Sequence, residues 1–207
     1  RAAGVLAGLK DSGRDLALVV NDGPVAAAAG VFTLNRVKAA PVIWSEQVLL
    51  GGEVRAVVLN SKYANACTGP HGFQISHATA EAVADALGIG AGQVAVCSTG
   101  KIGEPPPLDV LQSGIATAVA TLSAEGGSDA ADAIRTTDTV TKEATAAGQG
   151  WSVGGMAKGA GMLAPTLATM LCVITTDAAA EAAALDRALR AATALTFDRI
   201  DSDGCMS

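Results

Sequence analysis

The stretch Gln93-Val94-Ala95-Val96-Cys97-Ser98-Thr99-Gly100 leads, after four intervening residues, into Pro105-Pro106-Pro107-Leu108. A short apolar run closed by Ser-Thr-Gly reads as a buried strand. The prolines preset the backbone of a helix's first turn, and Leu108, Leu111, Ile115, Val119 and Leu122 then recur at helical spacing. A strand thus hands over directly to a helix, and the same alternation continues in both directions. Upstream, Leu16–Val20 predicts a buried strand closed by the turn Asn21-Asp22-Gly23-Pro24, with Val25–Val31 as its antiparallel partner. Val54–Leu59 predicts a third strand running into the polar, loop-like segment Asn60–Gly69. Ser76 is placed to cap a helix carrying Ala80, Val83, Ala84 and Leu87 on one face and ended by Gly88. Downstream, Ser128 is expected to cap a helix over Asp129–Arg135. Val153–Met156 and Met170–Thr175 predict strands around a loop from Lys158 to Pro165, and Ala178–Leu195 a last helix with Leu185, Leu189, Ala192 and Leu195 aligned. Mixed strands and helices with short turns predict an α/β (α+β) fold, a layered sandwich.

Composition removes several alternatives. Half of the 207 residues are hydrophobic and only 16% are charged, too apolar for a disordered chain. The apolar runs break well short of the ~20 residues that a bilayer-spanning helix needs. Aromatic residues make up 3% of the chain, so the core must come from Val, Leu, Ile and Ala, which favours closely spaced layers. A net charge of −6 offers no electrostatic footprint for nucleic acid. Cys67, Cys97, Cys172 and Cys205 form no C-x-x-C pair and stand apart from His71 and His77, so no zinc site is expected and a reducing cytoplasm is the simplest setting. No basic-then-apolar leader opens the sequence. The start at Arg1 and the acidic, turn-like close predict a piece of a longer chain.

Four segments carry candidate chemistry. In Gly154-Gly155-Met156-Ala157-Lys158-Gly159-Ala160-Gly161-Met162-Leu163-Ala164-Pro165, Lys158 lacks the following Ser or Thr of a phosphate loop, and Pro165 interrupts the helix that a dinucleotide fingerprint would open. What remains is one cation among glycines and apolar residues. It reads either as a surface lysine with a buried stem or as an anchor for a carboxylate, because an unpaired buried cation is costly. Ser98-Thr99-Gly100 could supply donors to an oxyanion or be a plain turn. Thr136-Thr137-Asp138-Thr139 is a polar helix-stop, and Thr169, at the head of an apolar strand, is by itself an ordinary strand former.

Taken in order, the segments resemble the ornithine acetyltransferase family, the bifunctional glutamate/ornithine N-acetyltransferases of arginine biosynthesis. The resemblance rests on Ala29–Pro41, Asn60-Ser61 with Ala64–Gly69, Cys97-Ser98-Thr99-Gly100-x-Ile102-Gly103, Thr136–Thr139, Met156–Met162 and Ala168-Thr169-Met170-Leu171. It covers nearly the whole sequence. It implies a layered sandwich of the αββα type and a self-processing enzyme cut between Ala168 and Thr169, which divides the chain into an α region, 1–168, and the opening of a β region, 169–207. Thr169 would then be nucleophile and new N-terminus together. Its freed α-amine, of pKa ~7.7–8.0, would act as the base that a weakly nucleophilic hydroxyl requires. The resemblance further implies ping-pong transfer of acetyl from N-acetylornithine to glutamate through an acetyl-Thr enzyme, with Thr99 and Gly100 as oxyanion hole. Thr136 and Lys158 would bind substrate together with Thr169, with Thr137 as the alternative to Thr136. An α2β2 assembly without cofactor or metal is implied, and acetyl-CoA stays open as a second acetyl donor. Lys62-Tyr63 departs from the family's small or polar residues such as Gly-Asn or Gly-Gly, and Lys101 replaces a usually apolar residue.

Two other classes compete. An N-terminal-nucleophile amidase or aminopeptidase would use the same Thr169 but pass the acyl group to water. A non-catalytic metabolite-binding domain would keep Thr169 structural.

Overall fold

The computed structural model describes residues 1–166 and 169–206. Its first sheet has the order β1 (Ala2–Val5), β2 (Leu16–Val20), β3 (Ala56–Tyr63), β4 (Val94–Lys101). β2 pairs antiparallel with both β1 and β3, whereas β3 and β4 are parallel, in the register Ala56 opposite Val94 through Tyr63 opposite Lys101. The parallel step needs a crossover, which α2 (Gly69–Leu87) provides. α1 (Ala40–Leu49) lies between β2 and β3 in sequence, and α3 (Leu108–Ala120) follows β4. α4 (Gly127–Ala133) leads to a second, antiparallel sheet of β5 (Lys142–Gly148), β6 (Trp151–Lys158) and β7 (Leu171–Thr176), and α5 (Ala182–Leu195) comes last.

Two apolar clusters stack these elements. The first joins Leu16, Leu18, Val58, Val94 and Val96 to Val83 of α2 and Leu111 and Ile115 of α3. The second joins Ala17 and Leu59, on the other face of the same sheet, to Ala130, Ala133 and Ile134 around α4 and to Met156, with Leu171 and Val173 packed beside it. Helices therefore cover one face of the first sheet, and α4 with the second sheet covers the other, so the expected layered α/β class is the observed one. The small-residue composition has a direct use here: a Cβ on Gly4 of β1 would lie 1.9 Å from the Asp129 carbonyl oxygen of α4.

Several sequence expectations need correction. Val25–Val31 forms no strand; it makes only the isolated bridge Ala27–Glu53, and β2 pairs instead with β1 and β3. Its run of alanines offers little side chain for cross-strand packing. β3 continues through Tyr63, into the segment read as loop. Ser76 caps nothing: α2 begins at Gly69, and Ser76 is buried within it, accepting a hydrogen bond from Asn65 Nδ2 at 3.0 Å. Gly88 does end that helix, in the left-handed conformation. Ser128 makes no cap bond and donates to Glu143 at 3.0 Å. Thr99 and Gly100 lie within β4 rather than in a turn after it.

Candidate functional site

β4 and β6 each bring one predicted residue to the same point. Thr99, 3% exposed, occupies the C-terminal part of β4, and Lys158, 4% exposed, is the last residue of β6. The Lys158 ammonium donates to Thr99 Oγ1 at 3.3 Å and to Thr136 Oγ1 at 2.7 Å. These partners stand 59 and 22 positions away in sequence. Of the two threonines that the motif left open, Thr136 is the one whose hydroxyl meets Lys158. The surface-lysine alternative for Lys158 is excluded by its burial.

Asp138 completes the surroundings. Its side chain is fully buried, with one carboxylate oxygen 3.9 Å from the Lys158 ammonium. The other accepts from the Gly159 amide at 2.7 Å and from Lys142. Lys142, at the start of β5, also donates to the Gly159 carbonyl at 3.2 Å. Burial lowers the Lys158 pKa from the ordinary lysine value; Asp138 opposes that shift, and Lys142 and Lys10 reinforce it. Burial works to raise the Asp138 carboxyl, but Lys142, the Gly159 amide and Lys158 together hold it below the usual carboxylate range. In the sequence Asp138 stands within the polar Thr136–Thr139 run, and no motif marks Lys142. The pattern Asp138-x-x-x-Lys142 was the one signal that could have drawn attention to the pair.

Gly100 adopts φ +126°, and a Cβ there would come within 2.4 Å of the Lys62 backbone on β3. Lys62, its register partner, has φ +136°, a region that favours glycine. The departure noted at position 62 thus falls where the backbone is least suited to a side chain.

Thr169 follows the loop after β6. Its amide donates to the Met162 carbonyl at 2.6 Å, and its buried Oγ1 has no hydrogen-bond partner among the described residues. Ala168, the other half of the expected cleavage site, lies outside the described residues. A cavity of about 120 Å³ borders Lys158 and Gly159, with walls from Leu163, Met170, Phe197 and Ile200. A larger cavity of about 370 Å³, between Tyr63, His71, Glu104 and Pro105–Leu108, contains none of the predicted site residues. Among the described residues no cluster of His, Cys, Asp and Glu could hold a metal ion, and no helix is long and apolar enough to cross a membrane.

Fold and site together define a layered α/β protein with a buried, hydroxyl-bonded ammonium beside an apolar cavity. Comparison narrows the class. The ArgJ family model matches residues 1–207, and the chain belongs to that family. It is 70% identical over 207 residues to the arginine biosynthesis bifunctional protein ArgJ of Streptomyces coelicolor, covering all of this chain and 54% of the relative. It therefore spans about half the length of the curated relatives it matches. Among solved structures, ornithine acetyltransferase of Mycobacterium tuberculosis complexed with ornithine matches with a TM-score of 0.78 and 59% identity, over 80% of this chain and 90% of that one. The arginine biosynthesis bifunctional protein ArgJ of Bacillus halodurans matches with a TM-score of 0.70 and 34% identity, over 82% and 90%.

Proposed function

We propose that this chain forms the α region and the opening of the β region of a self-processing glutamate/ornithine N-acetyltransferase. The observation that carries the proposal is the convergence of Thr99, Thr136 and buried Lys158 from three separate segments. The pattern suits a substrate carboxylate, since the Lys158 ammonium is desolvated and already sits among hydroxyl donors. Residues 1–168 and 169–207 would be the two parts of the chain as cut between Ala168 and Thr169. The Thr169 hydroxyl, without a hydrogen-bond partner among the described residues, is consistent with a nucleophile awaiting its base.

In this mechanism cleavage frees the Thr169 amine, which takes the hydroxyl proton as Oγ1 attacks the acetyl carbonyl of N-acetylornithine. The tetrahedral oxyanion is met by Thr99 and Gly100, ornithine leaves, and the acetyl-Thr ester passes its acyl group to the amine of glutamate. Thr136 and Lys158 hold the carboxylate common to both amino acids. Loss of one oxyanion donor would cost ~2.7–4 kcal/mol of transition-state stabilisation. The proposal extends to an α2β2 assembly in the cytoplasm and needs no cofactor.

Mass spectrometry of the full-length protein should find two fragments meeting at Ala168 and Thr169. Thr169→Ala should leave one intact chain and no acetyl transfer to glutamate. Retained transfer in that variant would identify another nucleophile, and release of free acetate in place of transfer would identify an amidase.

A further inference from the structure

The site contains more charge than its anchor alone. Lys158 is faced by Thr99 from β4, by Thr136 and Asp138 from the segment after α4, and by Lys142 from β5, with Lys10 acting on it from the loop after β1. Asp138 is the common partner. Its carboxylate accepts from the Thr136 amide at 3.4 Å and the Gly159 amide at 2.7 Å, and from the Lys142 ammonium. It therefore ties the segment carrying Thr136, the start of β5 and the end of β6 to one buried group. Two ammonium groups, Lys142 and Lys158, share this one carboxylate, which leaves the cluster one positive charge in excess. Lys142 is well exposed and saturates one carboxylate oxygen, while the other oxygen sits 3.9 Å from Lys158, beyond a direct hydrogen bond. Lys158 thus has an opposite charge close by without a direct hydrogen bond to it.

We propose that Asp138 is a positioning residue of the substrate site, which, balanced by Lys142, fixes the end of β6 and presents the Lys158 ammonium to the substrate carboxylate. The proposal rests on the assignment of Lys158 as carboxylate anchor. Asp138 touches no substrate and acts through Lys158.

The two partners act on the Lys158 ammonium with opposite sign, Asp138 favouring its charged form and Lys142 opposing it. Asp138→Asn keeps the shape and removes the opposite charge, so the ammonium is lost at lower pH. Lys142→Met removes the like charge, so the ammonium survives to higher pH. The readout is the KM for N-acetylglutamate, whose only ionisable groups are carboxylates, with ornithine as acceptor, for the full-length enzyme between about pH 7 and pH 10. Asp138→Asn should raise KM roughly tenfold or more at the alkaline end and move the alkaline rise in KM downward, with kcat changed far less. Lys142→Met should move that rise upward. Shifts in the same direction, or no shift in either variant, would overturn the proposal. If Asp138→Asn does not fold, Lys142→Met decides alone: an upward shift supports the proposal and any other result overturns it. Lys158→Met separates the two levels. An unchanged KM in that variant overturns the anchor and the proposal together, whereas a raised KM with unshifted profiles in the other two overturns the proposal alone.

Discussion

Lys62 and Gly100 face each other across the parallel pair β3–β4, both with positive φ. Gly100 has no alternative there, because a side chain would collide with the Lys62 main chain. Lys62 does have one: glycine would adopt the same backbone without the strain that a side chain adds, of order 1–3 kcal/mol at such a position. Part of that gain is returned as unfolded-chain entropy. Lys62→Gly should therefore stabilise the chain by about 1 kcal/mol, raising the melting temperature by ~2–4 °C in calorimetry. Gly100→Ala should destabilise it and displace Thr99. Lys158 has the opposite balance of stability and use. Burial lowers its pKa in the folded chain. Between the folded value and 10.5 the unfolded chain binds more protons, so the cost of burying the charge is full below the folded value and fades as pH rises through that window. Lys158→Met, which leaves Asp138 paired with Lys142, should consequently fold at least as well as the parent chain, with any advantage largest below the folded value and shrinking toward alkaline pH. Chemical denaturation at a series of pH values measures it.

At the level of elements, the site depends on how β4 is held. β4 ends the first sheet, and its outer edge is occupied by side chains of α1 rather than by a fifth strand. Ser45 Oγ donates to the Val96 carbonyl at 2.7 Å and accepts from the Val96 amide at 2.9 Å, while Trp44 Nε1 donates to the Val94 carbonyl at 3.0 Å. One serine thus substitutes for a rung of a β-ladder. Ser45→Ala should cost roughly 2–3 kcal/mol, because both Val96 groups lose their partner in a buried place. Urea titration tests this directly. The elements also show what the sequence could reveal. β2, β3 and β4 are buried on both faces and write continuous apolar runs, so they were legible. β5 is exposed at every residue, and Lys142–Gly148 contains neither alternation nor a large apolar side chain, so nothing marked it. β1 is four small residues, and α1 opens on Pro41 with no hydroxyl or acidic cap. α2 starts seven residues before Ser76, since a serine inside a helix can satisfy a tertiary partner as readily as it caps one.

At the level of the whole molecule, the candidate residues are legible as types, and their meeting only through the family resemblance, not from the residues themselves. Thr99, Thr136 and Lys158 each stood in a readable motif, yet only the stacking of the two sheets about α4 brings them together. Asp138 escaped notice because its partners come from three elements. The same layering governs the cysteines. Burial pushes the Cys97 thiol up to about 12 and Cys172 up to about 11, whereas Cys67 and Cys205 are exposed. Iodoacetamide at mildly alkaline pH should label Cys67 and Cys205 in the native chain and reach Cys97 and Cys172 only after denaturation, as peptide mapping would show.

The Ser45 rung has a consequence beyond stability. An open strand edge is a template on which another molecule can deposit a strand, and proteins cover such edges to prevent it. Here a hydroxyl and an indole consume the hydrogen-bonding groups of β4 at Val94 and Val96. Sheet growth is terminated from within, by a helix of the same chain. Losing the serine would thus also expose a sticky border, and an excess of aggregation over that of an equally unstable core variant would be its signature.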